Sequence, residues 1–161
     1  MPNDGITTRL HPKLKAALEG FWRDRGETPS AGLRHVAEEW WTLQHLPRLH
    51  FRDGVSGRRA SLRQGPDVWE LVMVARDYGF DPTDLADDPW TVESTSGPEW
   101  HFYVPQEITD RLNAHFGGAV HHEDMRQGLL YAGFFPKTVS REIEANARAA
   151  RALGRAIAAA L

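Results

Sequence analysis

The arginines within residues 49–74 are the side chains whose type and spacing could most clearly do chemistry. In this stretch apolar residues first recur at every second position and then at helical spacing, which predicts a β-hairpin directly ahead of an amphipathic helix. If Ala60 and Leu62 face the core together with Phe51, alternation along the strands sends the intervening side chains to solvent. These side chains are Arg52, Arg59, Ser61 and Arg63. A stripe of guanidinium groups of this kind favours an anionic ligand.

The elements that must position these arginines are a tight turn and a capped helix. Asp53-Gly54 and Ser56-Gly57 supply residues suited to a reversal of the chain. Asp67 stands three residues before Glu70, which is a capping-box spacing, so a helix is predicted from Val68. The hairpin should therefore lead straight into that helix.

Glycines and prolines divide the rest of the chain into further helices. Tyr78-Gly79 predicts a helix end and Asp81-Pro82 a new start, with Phe80 packing onto Leu85. This pair and a second pair around Gly117-Gly118 have the layout of a helix-turn-helix, although ordinary helical hairpins share it. The other predicted elements are helices over 12–23, 30–46, 105–116 and 122–134, a terminal helix from about 138, and a hairpin that pairs 91–95 with 100–104.

Apolar side chains at helical spacing predict the buried faces of these helices. In the first two helices they are Leu14, Leu18, Phe21, Trp22, Leu33, Val36, Ala37 and Trp40. In the terminal helix they form a thin seam of Val139, Ile143, Ala150, Leu153 and Ile157.

The terminal helix has few large apolar side chains, so most of its stability should come from docking against a partner or a second copy. A frayed tail is the alternative for its last residues. We expect its arginines to bind that partner, and they are Arg141, Arg148, Arg151 and Arg155.

The composition is that of one compact domain without covalent cross-links. The chain has 161 residues, of which 41% are apolar, and it has no cysteine, which excludes a disulfide framework and a thiolate metal site. No signal peptide is evident near Met1, and no apolar run approaches the roughly 20 residues of a membrane span, so a soluble cytoplasmic protein is expected.

The net charge of −3 hides a segregated distribution of charge. Residues 48–63 contain five arginines and one aspartate, which sum to +4. Residues 81–99 contain six carboxylates and no lysine or arginine, which sum to −6. A basic hairpin therefore lies beside an acidic segment along the chain, and the hairpin setting favours a binding role over an ordinary solvated face.

Candidates for catalysis or metal binding are weak. The histidines and carboxylates of the run His121–Asp124 are adjacent, whereas metal ligands on one helix need spacings of three or four. Glu99 and His101 suit a general base, yet no nucleophile elbow, phosphate loop or paired acidic motif accompanies them. The sequence therefore predicts no enzyme, no metal site and no cofactor.

Two segments, residues 32–72 and 121–152, resemble domain-of-unknown-function family four hundred thirty-three, the antitoxins of VapB type. Together they cover somewhat under half of the chain. The residues that carry the resemblance in the first segment are Phe51, Gly54, Gly57, Arg58, Arg59, Gly65, Pro66, Asp67, Val68 and Trp69. In the second segment they are Leu129, Tyr131, Pro136, Ile143 and Asn146.

The resemblance implies a winged-helix or helix-turn-helix fold that binds double-stranded DNA as a homodimer, regulates its own operon and often pairs with a PIN-like ribonuclease toxin. The hairpin would then hold phosphates as a wing does, and the helix from residue 122 would read bases, because arginine pairs with guanine and glutamine with adenine. In the family that helix follows soon after the helix near residue 81, whereas here residues 88–121 intervene. The DNA-binding residues expected from this reading are Arg52, Arg58, Arg59, Arg63, His122, Arg126 and Gln127.

Two functions therefore stay open. The first is a DNA-binding transcriptional regulator of antitoxin type, and the alternative is a helical protein–protein interaction module, toxin-neutralising or scaffolding, without DNA binding. The expected fold is mainly α with small β-hairpins. The expected organisation is an N-terminal helix and linker over 1–29, a core of helix, hairpin and helix-turn-helix over 30–136 with the insertion at 88–121, and a C-terminal helix over 137–161.

Overall fold

The computed structural model describes residues 9–54, 57–84 and 103–160. These residues are mainly helical with one two-stranded antiparallel hairpin, so the predicted fold class is confirmed, and it is consistent with helix-turn-helix and winged-helix proteins. The elements are α1 (Pro12–Asp24), α2 (Pro29–His45), β1 (Leu49–Gly54), β2 (Gly57–Leu62), α3 (Val68–Asp77), α4 (Gln106–His115), α5 (His122–Phe134) and α6 (Pro136–Ala160). The chain divides into two compact units, residues 1–40 and 41–161.

The first unit buries less of its apolar surface than the sequence predicts. Trp22 of α1 is buried, and its ring lies where a Cβ on Gly32 of α2 would be. The other large apolar side chains stay exposed because the contact between α1 and α2 is too small to cover them. The exposed fractions are 50% for Leu14, 52% for Phe21, 45% for Leu33, 55% for Val36 and 63% for Trp40. The expectation that these five side chains are buried is therefore wrong, and so is the expectation for Ala37, which is also exposed.

The second unit is built around α5, which is buried along most of its length. It contacts α3, α4, α6 and both strands of the hairpin. With so many neighbours, the helix keeps partly exposed side chains only near its start. Its buried residues are Asp124, Met125, Gln127, Gly128, Leu129, Leu130, Tyr131, Ala132, Gly133 and Phe134. Trp41 of α2, which the predicted helix face did not use, packs against Phe134 with the ring centroids 4.9 Å apart.

The hairpin has the predicted register on its core face. Phe51 pairs with Ala60, and Leu49 pairs with Leu62, so these side chains share one side of the sheet. The other side of β2 is also covered, because the chain folds back and Ser61 forms an isolated bridge to Asp67. Ser61 is therefore fully buried, and the prediction that it points to solvent is wrong.

The glycine signals place the C-terminal ends of α3 and α4 correctly. Gly79 after α3 and Gly117 and Gly118 after α4 have positive φ values of 81°, 74° and 74°. Residues 81–84 form a turn, in which the Asp81 carboxylate accepts hydrogen bonds from the N–H and hydroxyl of Thr83. The helix predicted to start at Asp81-Pro82 is therefore a turn over the residues described, and the rest of it lies outside them. The predicted pairing of 91–95 with 100–104 also lies outside them except at 103–104, which form no strand.

Helix α6 begins two residues before the predicted start at Thr138. Val139 is fully buried, and Ile143 packs against the same core. From Arg151 to residue 159 every described residue is exposed. The helix therefore continues well past the core that its first half covers.

Two helical glycines give a test of the packing around α5. A Cβ on Gly128 would lie 2.8 Å from Leu71 Cδ2 and 3.0 Å from Leu62 Cδ2, whereas one on Gly154 of α6 would meet nothing within 4 Å. Gly128→Ala is expected to lower the free energy of unfolding by about 1–3 kcal/mol, because it overpacks the core. Gly154→Ala is expected to leave it unchanged or to raise it by up to about 1 kcal/mol. Equal stability of the two variants in urea unfolding would contradict this packing.

Candidate functional site

The hairpin arginines converge on one buried carboxylate. Asp67, the N-cap of α3, is 1% exposed. Arg52 Nε donates a hydrogen bond to Asp67 Oδ1 at 2.7 Å, and Arg52 Nη2 lies 2.6 Å from the same oxygen. Arg59 Nε forms an ion pair with Asp67 Oδ2. Arg52 and Arg59 are direct cross-strand partners, so this carboxylate offsets the repulsion between two cations held side by side.

Two further side chains and the start of α3 complete the surroundings of Asp67. The Ser61 hydroxyl donates a hydrogen bond to Oδ1, and Trp69 Nε1 donates one to Oδ2 at 3.3 Å. Glu70 Oε2 accepts a hydrogen bond from the Asp67 backbone N–H at 2.8 Å, as the capping-box spacing predicts. Asp67 therefore joins both strands of the hairpin to α3.

The direction of Arg59 is the main correction to the predicted site. Its side chain is only 16% exposed, and its guanidinium lies against Gly54, where a Cβ would overlap it. The prediction that Arg59 points to solvent is wrong because Asp67 covers the second face of the hairpin and attracts it. Arg52 keeps 46% of its side-chain surface exposed, although its donors face Asp67.

The two other hairpin arginines are more exposed. Arg58 is 45% exposed, with Nη1 at 4.0 Å from Asp53 Oδ1 and its guanidinium carbon 5.9 Å from the Phe51 ring centroid. Arg63 is exposed, and its Nε donates a hydrogen bond to the Pro47 carbonyl at 3.2 Å. The four cations do not form one outward stripe.

The predicted base-reading side chains at the start of α5 bind other groups of the chain. Arg126 donates two hydrogen bonds of 2.7 Å to the Glu123 carboxylate. Gln127 is 8% exposed, donates to Glu123 Oε1 at 2.8 Å and accepts from the Arg48 N–H at 2.9 Å. His122 Nε2 lies 2.9 Å from Asn113 Nδ2. The expectation that Gln127 points outward is wrong because α5 is the central helix, whereas His122 and Arg126 near its start each keep 42% of the side-chain surface exposed.

The ion pair of Arg126 and Glu123 changes the acidity of both groups. The pKa of Glu123 lies below its ordinary value because its carboxylate accepts hydrogen bonds from Arg126, an effect that partial burial opposes. The pKa of Arg126 is raised by the same hydrogen bonds. Near neutral pH both groups are therefore ionised, and the charge of Arg126 is paired within the protein.

The second predicted surface is the C-terminal arm, which we define as residues 145–160 of α6. It contains three arginines and no aspartate or glutamate, so its net charge is +3. Leu153 and Ile157 on the arm are 63% and 54% exposed. They lie on the same helix side as Val139, because residues three and four apart share a face.

The arginines of α6 differ in their contacts. Arg141 donates hydrogen bonds to the Lys137 carbonyl and the Thr138 hydroxyl, and Arg148 lies 3.6 Å from Glu144. Arg151 and Arg155 have no ion pair with any residue that the structure describes. The structure thus brings the four predicted partner-binding arginines onto one helix, and the last two project from its end.

The candidates for a metal site and for a general base fall in different parts of the chain. No three His, Asp or Glu side chains in the described ranges are arranged to hold a metal ion. Glu99 and His101 lie outside those ranges. Among the described helices, none has the length and apolar character to cross a membrane.

Sequence reasoning missed that Asp67 is the centre of the arginine cluster. The capping-box spacing identified Asp67 as an N-cap, but it did not indicate that the side chain also faces β2. The signal was that Asp67 is the next carboxylate after the basic stretch and follows β2 within five residues, close enough to fold onto it. The spacing of three between Glu123 and Arg126 is likewise a common ion-pair spacing on helices.

Substitution of Asp67 tests its role as the common partner of the two arginines. Asp67→Asn is expected to lower the free energy of unfolding by about 3 kcal/mol, because Arg59 is left partly buried without a counter-charge. Asp53→Asn is the matched control, since Asp53 is 63% exposed, and it should cost less than about 1 kcal/mol. Equal effects in chemical denaturation would contradict the assignment.

The pH dependence of the Glu123 pair gives a second test. Because the folded pKa of Glu123 lies below 4.5, the pair stabilises the fold above that pH and loses its contribution as the pH falls further. Arg126→Ala should raise the pKa of Glu123 in a carboxyl NMR titration, and its stability deficit should shrink below pH 4.5. Arg148→Ala should leave the Glu123 titration unchanged. A Glu123 pKa that ignores Arg126→Ala would refute the pairing.

Residues that carry the resemblance to the antitoxin family have structural roles in this chain. Asp67 binds two arginines, Gly57 has a φ of 102° in the hairpin, and Tyr131 is buried beside Phe51. Comparison with known proteins adds no family or function to these roles. No family model, no curated protein and no solved structure matches the chain.

Proposed function

We propose that this chain is a non-enzymatic protein-interaction module that binds an acidic partner protein through its C-terminal arm. One observation carries the proposal. The apolar side of α6 that packs on the core at Val139 and Ile143 continues onto the arm at Leu153 and Ile157, where nothing within the described chain covers it. The exposed part of this apolar side is therefore suited to burial against another molecule.

The energetics of the arm favour this role. Residues 151–159 extend about 13 Å along the helix axis, with every residue exposed. A short helix without tertiary contacts is marginal in water, and burial of an apolar face normally provides its stability. Leu153 and Ile157 are four residues apart, which is the spacing of anchors that insert into a groove of a partner.

The charge of the arm indicates the chemistry of that groove. Arg148, Arg151 and Arg155 lie on the helix side away from Leu153 and Ile157, and the arm has no carboxylate to offset them. An apolar groove with acidic edges would match both sides of the helix. Two copies of the arm packed together would carry a summed charge of +6 with no carboxylate to offset it, which disfavours self-pairing of this segment.

DNA binding by a regulator of antitoxin type is the competing proposal, and it is less well supported. Exposed Arg58 and Arg63 and the family resemblance favour it. The ion pair of Arg59 with Asp67 and the hydrogen bonds of Gln127 disfavour it, since both side chains are directed into the protein. The same resemblance is compatible with a protein partner, for which a PIN-like ribonuclease toxin is one class.

Matched substitutions on the arm test the proposal. Leu153→Glu should weaken capture of a partner at least about tenfold, because it places a charge on the apolar side. Ala152→Glu adds the same charge on a neighbouring face and should retain the partner. The measurement is affinity capture from the source cell, followed by titration with the purified partner, with helicity checked by circular dichroism.

The sequence of the captured protein and a DNA assay complete the test. The proposal expects a partner with a net negative surface whose affinity falls as salt rises. The full chain should not retain duplex DNA at low salt. Retention of the same protein by Leu153→Glu, or retention of DNA without any protein partner, would overturn the proposal.

A further inference from the structure

A groove in the first unit lies between α1 and α2 and is separate from the C-terminal arm. Its volume is about 400 Å³. Most of its lining side chains are apolar, and the others are charged. The apolar ones are Leu10, Leu18, Trp22, Pro29 and Leu33, and the charged ones are Arg9, Lys15 and Glu19. We call this cavity the α1–α2 groove.

The α1–α2 groove has a buried apolar base and an open mouth. Trp22 is buried, and its ring lies against Gly32 of α2. Leu10 and Leu18 are partly buried, whereas Leu33 is 45% exposed. Sites for small molecules are likewise concave and mainly apolar, with a few polar groups, and commonly measure about 300–1,000 Å³. The groove therefore has the size and lining of such a site.

The charges around the groove leave one cation without a counter-charge. Lys15 Nζ lies 3.7 Å from Glu19 Oε1, so the charges of these two side chains offset each other. Arg9 is exposed and has no ion pair with any residue in the ranges that the structure describes. A guanidinium group can bind a carboxylate through two parallel hydrogen bonds. The groove therefore favours a ligand with an anionic group beside an apolar body.

We propose that the α1–α2 groove binds a small amphipathic carboxylate. Its apolar chain lies against Leu18, Trp22 and Leu33, and its carboxylate lies on Arg9. The size of the groove favours a small molecule over a docked helix, because about 400 Å³ is roughly the volume of one helical turn with its side chains. A single turn would contribute too few contacts to hold a partner protein.

The apolar lining predicts a dependence on the length of the ligand chain. A methylene group that is fully removed from water raises affinity about fourfold. Because the groove is open on one side, each added methylene should raise the affinity roughly twofold. Octanoate has ten non-hydrogen atoms, and a ligand of this size should dissociate at about 1 mM.

Titration of the full chain with octanoate, followed by the indole N–H signals in two-dimensional NMR, tests the site. The Trp22 signal, assigned by its loss in Trp22→Phe, should shift as octanoate binds. Hexanoate should bind about fourfold more weakly than octanoate. Octylammonium has the same chain and the opposite charge, so it should bind at least about fivefold more weakly. A Trp22 signal that stays unmoved at about 10 mM octanoate, or equal binding of octylammonium, would overturn the proposal.

Two pairs of variants locate the ligand. Leu33→Asp places a carboxylate in the groove and should abolish octanoate binding, whereas Val36→Asp changes an exposed side chain outside the groove and should retain it. Arg9→Gln should weaken octanoate binding about fivefold and leave 1-octanol binding unchanged. Arg34→Gln is its control, because Arg34 pairs with Glu38 outside the groove. Octanoate binding of wild-type strength in Leu33→Asp or in Arg9→Gln would overturn the proposal.

The same samples distinguish other occupants and separate this site from the C-terminal arm. If a second copy of the chain filled the groove, the wild-type chain would dimerise in sedimentation equilibrium, Leu33→Asp would stay monomeric and octanoate would not bind. That result would overturn the proposal. Leu153→Glu should bind octanoate as the wild-type chain does, because the arm belongs to a different helix. Failure of the acidic-partner proposal would therefore leave octanoate binding intact.

Discussion

The carboxylate of Asp67 is the group on which the second unit depends. It accepts Arg52 and Arg59 from the two strands, the Ser61 hydroxyl from beneath the hairpin and the Trp69 indole from α3. A cross-strand pair of cations beside a core is costly unless a counter-charge is held in place, and the N-cap of α3 holds it there. The same contacts fix the angle at which the hairpin meets α3. The hairpin arginines that the sequence suggested for binding a nucleic acid therefore connect the hairpin to α3.

Patterns local in sequence predicted the elements well, and contacts between distant residues explain the errors. The capping box at Asp67, the positive-φ glycine at position 79 and the double glycine at 117–118 are local signals, and each is where the structure has it. The direction of Arg59 depends on a carboxylate eight residues away that folds back across the strand. A prediction from alternating residues along a strand cannot include this contact, because it assumes that one face of the hairpin is buried and the other is exposed to solvent.

Burial of whole helices was the other property that sequence periodicity did not predict. Helix α5 has neighbours along most of its length, so Gln127, although polar, is enclosed and hydrogen-bonded, whereas His122 and Arg126 near its start stay partly exposed. Helix α2 shows the reverse, because Val36 and Trp40 have helical spacing but lack a covering element. The uncovered arm of α6 is cationic, which favours an acidic partner.

A double-mutant cycle between Asp67 and Arg59 tests the central claim most directly. The free energies of unfolding would be measured for the wild-type chain, Asp67→Ala, Arg59→Ala and the double variant in one denaturant series. The ion pair predicts a coupling energy of about 2 kcal/mol or more, because the second substitution costs little once the first is made. Additive effects, with a coupling energy near zero, would mean that Arg59 is directed to solvent, and the account of the hairpin would be wrong.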